Sequence, residues 1–311
     1  NSLILWMERR RTACCPQAPD ALMTNERILD EVRPVGADLH LHSKASDGAL
    51  TPSELVQACA GAGLTHIALT DHETISGIPE AKRVAGDLGI QFITGVEINT
   101  AGSDQVHILL YFVHEGMGEL MDMLADIYQE RMARGPKIIS KLNQQGINIS
   151  LNDLDIQEDT AIGRPHVALA LKKLGIVQDE QQAFERYLDV GKPAYVPRKR
   201  YETMTVIQMA RKLGALPVLA HPELIRDPSL KSREALAELK EAGLAGLEAF
   251  HSQQTEEECR HWELVARQLG LLITGGSDYH SDNDSHGAIG SQLERWTQVQ
   301  EDMERFMSRR A

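Results

Sequence analysis

The sequence is poor in cysteine, has no long apolar run and carries no excess of positive charge, and each absence removes a class of function. Its cysteines are Cys14, Cys15, Cys59 and Cys259. Two are adjacent and none forms a CxxC pair, which argues against a disulfide framework or a thiolate zinc site and suits a reducing cytoplasm. No stretch approaches the ~20 apolar residues that a membrane-spanning helix needs. The short apolar opening, Asn1 to Trp6, precedes Arg9, Arg10 and Arg11, the reverse of the order in an export signal. A cytoplasmic protein with no membrane partner is expected. The net charge of −13 opposes tight, sequence-independent binding of long nucleic acids, because neutralising phosphates needs a basic surface. Short anionic substrates stay open if metal ions supply positive charge locally.

What is present fits an enzyme core. The 311 residues, 42% of them apolar, suffice for one large α/β barrel domain or for one domain carrying an insertion. From residue 35 onward short apolar runs alternate with helical patterns. Strands are expected at Gly36–His42, His66–His72, Gln91–Asn99, Val106–Val113, Leu216–His221, Gly246–His251 and Leu271–Ser277. Thr51-Pro-Ser-Glu54 is a capping box with Pro at the first helical position, so a helix should start there; another should cover Ile78–Leu88. This β-α repetition favours a parallel barrel over an open sheet. Residues 1–34 read as a loosely ordered extension, 35–114 and 191–311 as the barrel, and 115–190 as a helical insertion. Within the insertion, helices are expected at Met117–Met132, Pro136–Gln145, His166–Leu174 and Glu180–Leu188. Insertions at the C-terminal face of a barrel often cover the site.

Nearly every expected strand carries a metal-ligand type at one end. The first ends in His40-Leu-His42, with Asp47 in the following loop, and the second ends in Asp71-His72. The third carries Glu97 and the fourth starts at His107; His221 ends the fifth, and the last leads into Asp278-Tyr-His280. A parallel barrel gathers the C-terminal ends of its strands on one face. In His40-Leu-His42 strand alternation turns both imidazoles to the same side. Neutral imidazole suits Zn, Mn and Fe, while carboxylates add charge and bridge ions. So many ligands exceed the needs of one ion and point to two or three divalent cations. Each piece alone has an ordinary explanation, His107 as a core histidine beside Ile108–Leu110 for instance. Their coincidence at strand ends does not.

Taken together, His40-Leu-His42-Ser43-x-x-Ser46-Asp47-Gly48, Thr70-Asp71-His72, Gly95-Val96-Glu97, Leu219-Ala220-His221-Pro222 and Gly276-Ser277-Asp278-x-His280 resemble the successive motifs of the PHP (polymerase and histidinol phosphatase) superfamily, in the family's order. The resemblance implies a distorted (β/α)7 barrel holding up to three metal ions. It places His40, His42, Glu97 and Asp278 around one ion and His107 and His221 with Glu97 around a second. Asp47, His72 and His280 would hold a third. Asp71 would orient its neighbours or assist catalysis. The placement of the insertion resembles the group containing nucleoside 3′,5′-bisphosphate phosphatase and the 5′–3′ exoribonuclease of short RNA. Arg164-Pro-His166 matches that group's phosphate-binding Arg-x-His, and Lys192 and Arg198 are further candidates. One departure is Glu73, where Asp is more usual.

The implied reaction is hydrolysis of a phosphate ester of a small nucleotide, or of the 5′ end of a short oligoribonucleotide, by a hydroxide held on the metals. His221 would assist at the leaving oxygen, and Arg164 and His166 would hold a second, non-reacting phosphate. Two alternatives use the same fold: a histidinol phosphate phosphatase, and a catalytically silent PHP scaffold that binds a partner.

Overall fold

The barrel-forming alternation is visible in a computed structural model, which describes residues 36–101, 106–154, 162–282 and 286–291, with Asp302 and Arg305. The expected extension, 1–34, lies outside the described residues. The first half runs β1 (Ala37–Asp38), α1 (Pro52–Gly61), β2 (His66–Leu69), α2 (Ile78–Leu88), β3 (Gln91–Ala101) and β4 (His107–Tyr111). Helices α3 (Gly118–Gln144), α4 (Arg164–Lys173) and α5 (Glu180–Ala183) follow. The chain then makes β5 (Tyr201–Glu202), α6 (Thr203–Leu213), β6 (Leu216–Leu219), α7 (Arg233–Ala242), β7 (Gly246–His251), α8 (Glu256–Leu269) and β8 (Leu272–Gly276). The capping box forms as expected: Glu54 N–H donates to Thr51 Oγ1 at 3.2 Å, and Thr51 N–H to Glu54 Oε2 at 2.8 Å.

The strands lie in the order β1-β2-β3-β4-β6-β7-β8, with β5 added to β3. The two ends of this path meet. Leu39 N–H donates to Gly275 O at 3.2 Å, Asp278 N–H to His40 O at 2.9 Å, and His42 N–H to Tyr279 O at 3.1 Å. This is the seven-stranded barrel-like α/β sheet that the alternation implies. One strand departs from a strictly parallel arrangement: β4 runs antiparallel to both β3 and β6. Only a few residues separate β3 from β4 in sequence, and so short a link can only return the chain as a hairpin. The first strand is also shorter than its apolar run, spanning Ala37–Asp38, with Leu41 rejoining as an isolated bridge to Tyr279.

Apolar side chains from strands and helices fill one core, with Leu39, Ile67, Ile98, Leu109, Val218 and Phe250 all essentially inaccessible. A second apolar cluster joins Ile138, Leu142, Val167, Leu171, Ala183 and Leu188. Helix α3 reaches both. Pro136 was expected to divide it in two, yet the helix runs unbroken for 27 residues. Proline costs a helix one interior hydrogen bond and some bending. Here the segment before it buries Leu120, Leu124 and Ile127 in the main core, and the segment after it buries Ile138 and Leu142 in the second. Packing on both sides outweighs the local penalty.

Candidate metal centre

The strand-end motifs converge on one face of the barrel. His40 and His42 lie just past β1, His72 past β2 and His221 past β6, while Glu97 sits within β3. The reversal of β4 brings in His107. Because β4 runs antiparallel, its first residue pairs with Asn99 near the C-terminal end of β3, and so reaches the same face. His72 bridges to Glu97 in parallel register. At two of these ligands the chain turns through the left-handed region, with φ of 25° at His221 and 54° at Asp278. Non-glycine residues occupy that region at a cost, and such strain concentrates at functional sites. Gly276 lets the last strand approach the first: a Cβ there would lie 2.3 Å from His40 Cβ.

Glu97 is the hub. Its Oε2 lies 3.2 Å from His40 Nε2, 3.2 Å from His42 Nε2 and 3.1 Å from His72 Nδ1. Its Oε1 lies 2.7 Å from His107 Nδ1 and 3.2 Å from His221 Nε2. Asp278 Oδ1 approaches His42 Nε2 at 3.1 Å and His40 Nε2 at 3.3 Å. Asp47 Oδ1 is 3.3 Å from His280 Nε2. All nine expected ligands therefore fall into three overlapping groups: His40, His42, Glu97 and Asp278; Glu97, His107 and His221; and His42, Asp47, His72 and His280. Within each group the donor atoms lie no more than 4.8 Å apart.

The electrostatics call for cations. Burial resists charging His42, yet the Asp278 and Glu97 carboxylates beside its Nε2 push its pKa up to about 10. His40 is likewise driven upward against burial by Glu248, Asp278 and Glu97. Burial opposes ionisation of Glu97, but His72, His40 and His107 hold its carboxyl well below the usual range. Burial instead depresses His72, to about 3. Several donors also lack hydrogen-bond partners among the described residues: His40 Nε2, both ring nitrogens of His42, His72 Nδ1, His221 Nδ1 and Glu97 Oε2, all buried. Unpaired buried polar atoms are costly. Imidazole and carboxylate donors converging without protein partners fit divalent metal ions.

Comparison with known proteins identifies the family. The PHP domain family matches residues 38–195. A 5′-3′ exoribonuclease from Haemophilus influenzae is 33% identical over 244 residues, covering 78% of this chain and 89% of that protein. The chain belongs to the PHP family. A 3′,5′-nucleoside bisphosphate phosphatase from Chromobacterium violaceum is 30% identical, with 81% of this chain and 90% of the relative covered. A Bifidobacterium adolescentis structure described as a metal-dependent phosphoesterase superposes with a TM-score of 0.67 at 29% identity, covering 86% of this chain and 96% of the other. The protein is thus a PHP-family metal-dependent phosphoesterase. No helix among its described residues is long and apolar enough to cross a membrane.

Around the PHP ligands stands a supporting layer that strand-end reasoning reached only in part. Asp71 does not join the ligand groups. It accepts from Ser43 N–H at 2.7 Å, Ser43 Oγ at 2.8 Å and Ser46 Oγ at 2.7 Å, pinning the loop that carries Asp47. Glu248, absent from the sequence-based candidates, accepts from His40 Nδ1 at 3.0 Å and from His221 N–H at 2.8 Å. It thereby turns the Nε2 lone pair of His40 toward the centre, the carboxylate–histidine pairing that orients metal ligands. The signal that could have found it is the one that exposed Glu97, a carboxylate inside an apolar strand. His251 and His286 also face Asp278 Oδ2, at 3.4 and 3.6 Å.

Beside the PHP metal cleft lies a row of arginines. The cleft, about 480 Å³, is lined by Asp47, His72, Glu97, His107, His221 and Asp278 among others. A smaller adjoining cleft shares Asp47, His72 and His107 and adds Arg131, Arg198 and Arg200. A third continues from Arg131 and Arg198 to Arg134 and His166. Burial and the nearby Arg198, Arg164 and Arg200 charges lower the Arg134 pKa to about 10. Partial desolvation of its guanidinium lowers Arg198 too, exposed though the residue is, with repulsion from Arg131, Arg200 and Arg164 and partial relief from Glu73. Of the expected phosphate contacts, His166 lines this region, its Nδ1 accepting from Gly163 N–H at 3.0 Å. Arg164 stands behind the row. Its guanidinium packs against Phe184 and Tyr195 and pairs with Asp189 at 3.5 Å. Lys192 is exposed and lines none of these clefts.

Proposed function

We propose that the protein hydrolyses a phosphate ester on a small nucleotide that carries a second phosphate: a nucleoside 3′,5′-bisphosphate, or the 5′ end of a short oligoribonucleotide. The observation that carries this reading is the continuity between the two charge patterns. An acidic, histidine-rich cleft suited to cations opens through His72 and His107 onto Arg131, Arg198 and Arg200. A monophosphate would engage the first alone; a doubly phosphorylated substrate fills both. Relatives named as a bisphosphate phosphatase and an exoribonuclease support the same reading.

Two or three divalent cations, with manganese, zinc and iron all matched by the mixed imidazole and carboxylate set, would supply an activated water near neutral pH and neutralise charge on the phosphoryl oxygens. The protein's own part is placement. Arg131, Arg198 and Arg200, with Arg164 reinforcing the field, hold the non-reacting phosphate by charge-assisted hydrogen bonds. His166 adds a ring nitrogen beside them. That anchor fixes the ester over Glu97 and Asp278 and removes rotational freedom before reaction. His221 faces the cleft with Nε2 toward Glu97, which suits a ligand that also lies near the departing oxygen. Asp71 holds the Ser43–Asp47 loop in register.

The test is hydrolysis by purified protein with Mn²⁺ of adenosine 3′,5′-bisphosphate, adenosine monophosphate, histidinol phosphate and a 5′-phosphorylated oligoribonucleotide, with and without chelator. Chelator-sensitive preference for the bisphosphate or the oligonucleotide is expected. Preference for histidinol phosphate would overturn the reading.

A further inference from the structure

Helix α3 presents one aromatic ring that the fold does not use. Tyr128 is 51% exposed, the single aromatic among the large apolar side chains exposed in the described residues. Neither hydrogen bond nor ion pair holds it among those residues. Its neighbours on the helix, Ile127 and Leu124, are buried in the main core, so Tyr128 sits at the edge of the packed face, not in it. Surface tyrosines are ordinary; the position of this one is not.

Tyr128 and Met132 form one wall of a cleft of about 460 Å³, and Lys44, Ser46 and Thr74 from the loops after β1 and β2 form the other. That volume is within the range of small-ligand sites. The cleft shares His72 with the metal cleft, and Arg131 and His166 with the arginine cleft. It therefore borders both of the places where a bisphosphate would set its phosphates. In a nucleoside bisphosphate the base projects from the sugar that joins those phosphates, so the base must leave beside that line. A flat aromatic face with a thioether next to it and polar groups opposite is what a heterocycle requires, since every nucleobase has a π-face and a polar edge.

We propose that this cleft receives the nucleobase of the substrate, stacked on Tyr128, and so makes the enzyme select nucleotides over other small bisphosphates. The inference deepens the bisphosphate reading and rests on it for the placement of the two phosphates. Stacking of this kind is sequence-tolerant, so purine and pyrimidine substrates differ little, and Lys44, Ser46 and Thr74 supply edge contacts that do not demand one base.

The deciding experiment is calorimetric binding of adenosine 5′-monophosphate and ribose 5-phosphate to the metal-loaded full chain, for the wild type, Tyr128→Ala and Tyr128→Phe. In parallel, kcat/KM is measured with Mn²⁺ on adenosine 3′,5′-bisphosphate and on ribose 3,5-bisphosphate. Loss of the ring should weaken the nucleotide about tenfold and leave the sugar phosphate unchanged, with Tyr128→Phe close to wild type. The preference of kcat/KM for the substrate with a base should shrink by the same factor. Equal binding of the two ligands by the wild type, or an equal effect of Tyr128→Ala on both, would overturn the proposal. Base-selective binding without turnover of either bisphosphate would keep the base site and sink the functional reading instead.

Discussion

The metal centre and the arginine row are neighbours built in opposite ways. The first is largely buried, with His40, His42 and Glu97 at 0 or 1% exposure, and its ligands other than Asp47 lie within a strand or a few residues past one, where the sheet fixes the backbone. The second is drawn from the middle of a long helix and from a segment, 196–200, that forms no strand or helix. Arg198 and Lys199 are exposed there. A site suited to ions is thus laid down rigidly by the barrel, while the arginine row proposed to hold the second phosphate is carried on elements that can vary without disturbing it. Chemistry and specificity occupy separable parts of the chain.

That separation predicts a graded series of outcomes. Glu97→Gln should abolish metal uptake, seen by elemental analysis, and lower kcat by on the order of a thousandfold or more, because it removes the carboxylate common to two ligand groups. Arg198→Ala should leave metal content intact and raise KM for a bisphosphate by roughly 10- to 100-fold, the worth of a charged hydrogen bond. If metal content fell in that variant too, the two sites would not be separable. Glu248→Gln should weaken metal affinity by about 10- to 100-fold while the circular dichroism spectrum stays unchanged. Arg164→Ala, behind the row and already paired with Asp189, should raise KM less than Arg198→Ala does.

A final prediction concerns pH. His42 rises from its ordinary 6.5 to about 10 when folded, and His40 and His221 shift in the same direction, against burial and toward the charges of Glu97, Asp278 and Glu248. A raised folded pKa gives stability that is fully present below the unfolded value and is lost as pH climbs through the folded one. The metal-free protein should therefore lose stability in denaturant titrations as pH rises from about 6.5 toward 10. Metal uptake must displace those protons, so a calorimeter should register proton release and tighter metal binding at higher pH. Metal-loaded protein should show a flatter profile.

Much of the centre was legible because its signals are local. His40-Leu-His42, Asp278-Tyr-His280 and an acid inside the apolar strand at Glu97 are each read within a few residues. Barrel geometry then gathers them without further information. What escaped needed longer-range knowledge. The reversal of β4 depends on the short link before it, and the continuity of α3 through Pro136 on two cores that only the folded chain possesses. Arg131 and Arg134 belong to no motif that marks them in the sequence. Their place in the clefts beside the candidate metal centre depends on how a 27-residue helix packs, which no periodicity reports. Glu248 carried the same buried-acid signal as Glu97 but ended no motif.

The closure of the sheet also sets a timetable. Ser277 N–H reaches back 239 residues to Asp38, and Glu248 reaches back 208 to His40. Contacts so distant in sequence form late, and chains fold from the N-terminus as they emerge during synthesis. A nascent chain whose last strand is still within the ribosome would hold His40, His42, His72, Glu97 and His107 but not Asp278 or His280. The enzyme therefore acquires a complete ligand set only as β8 docks against the first strand, so that its candidate metal centre is among the last features of the barrel to form.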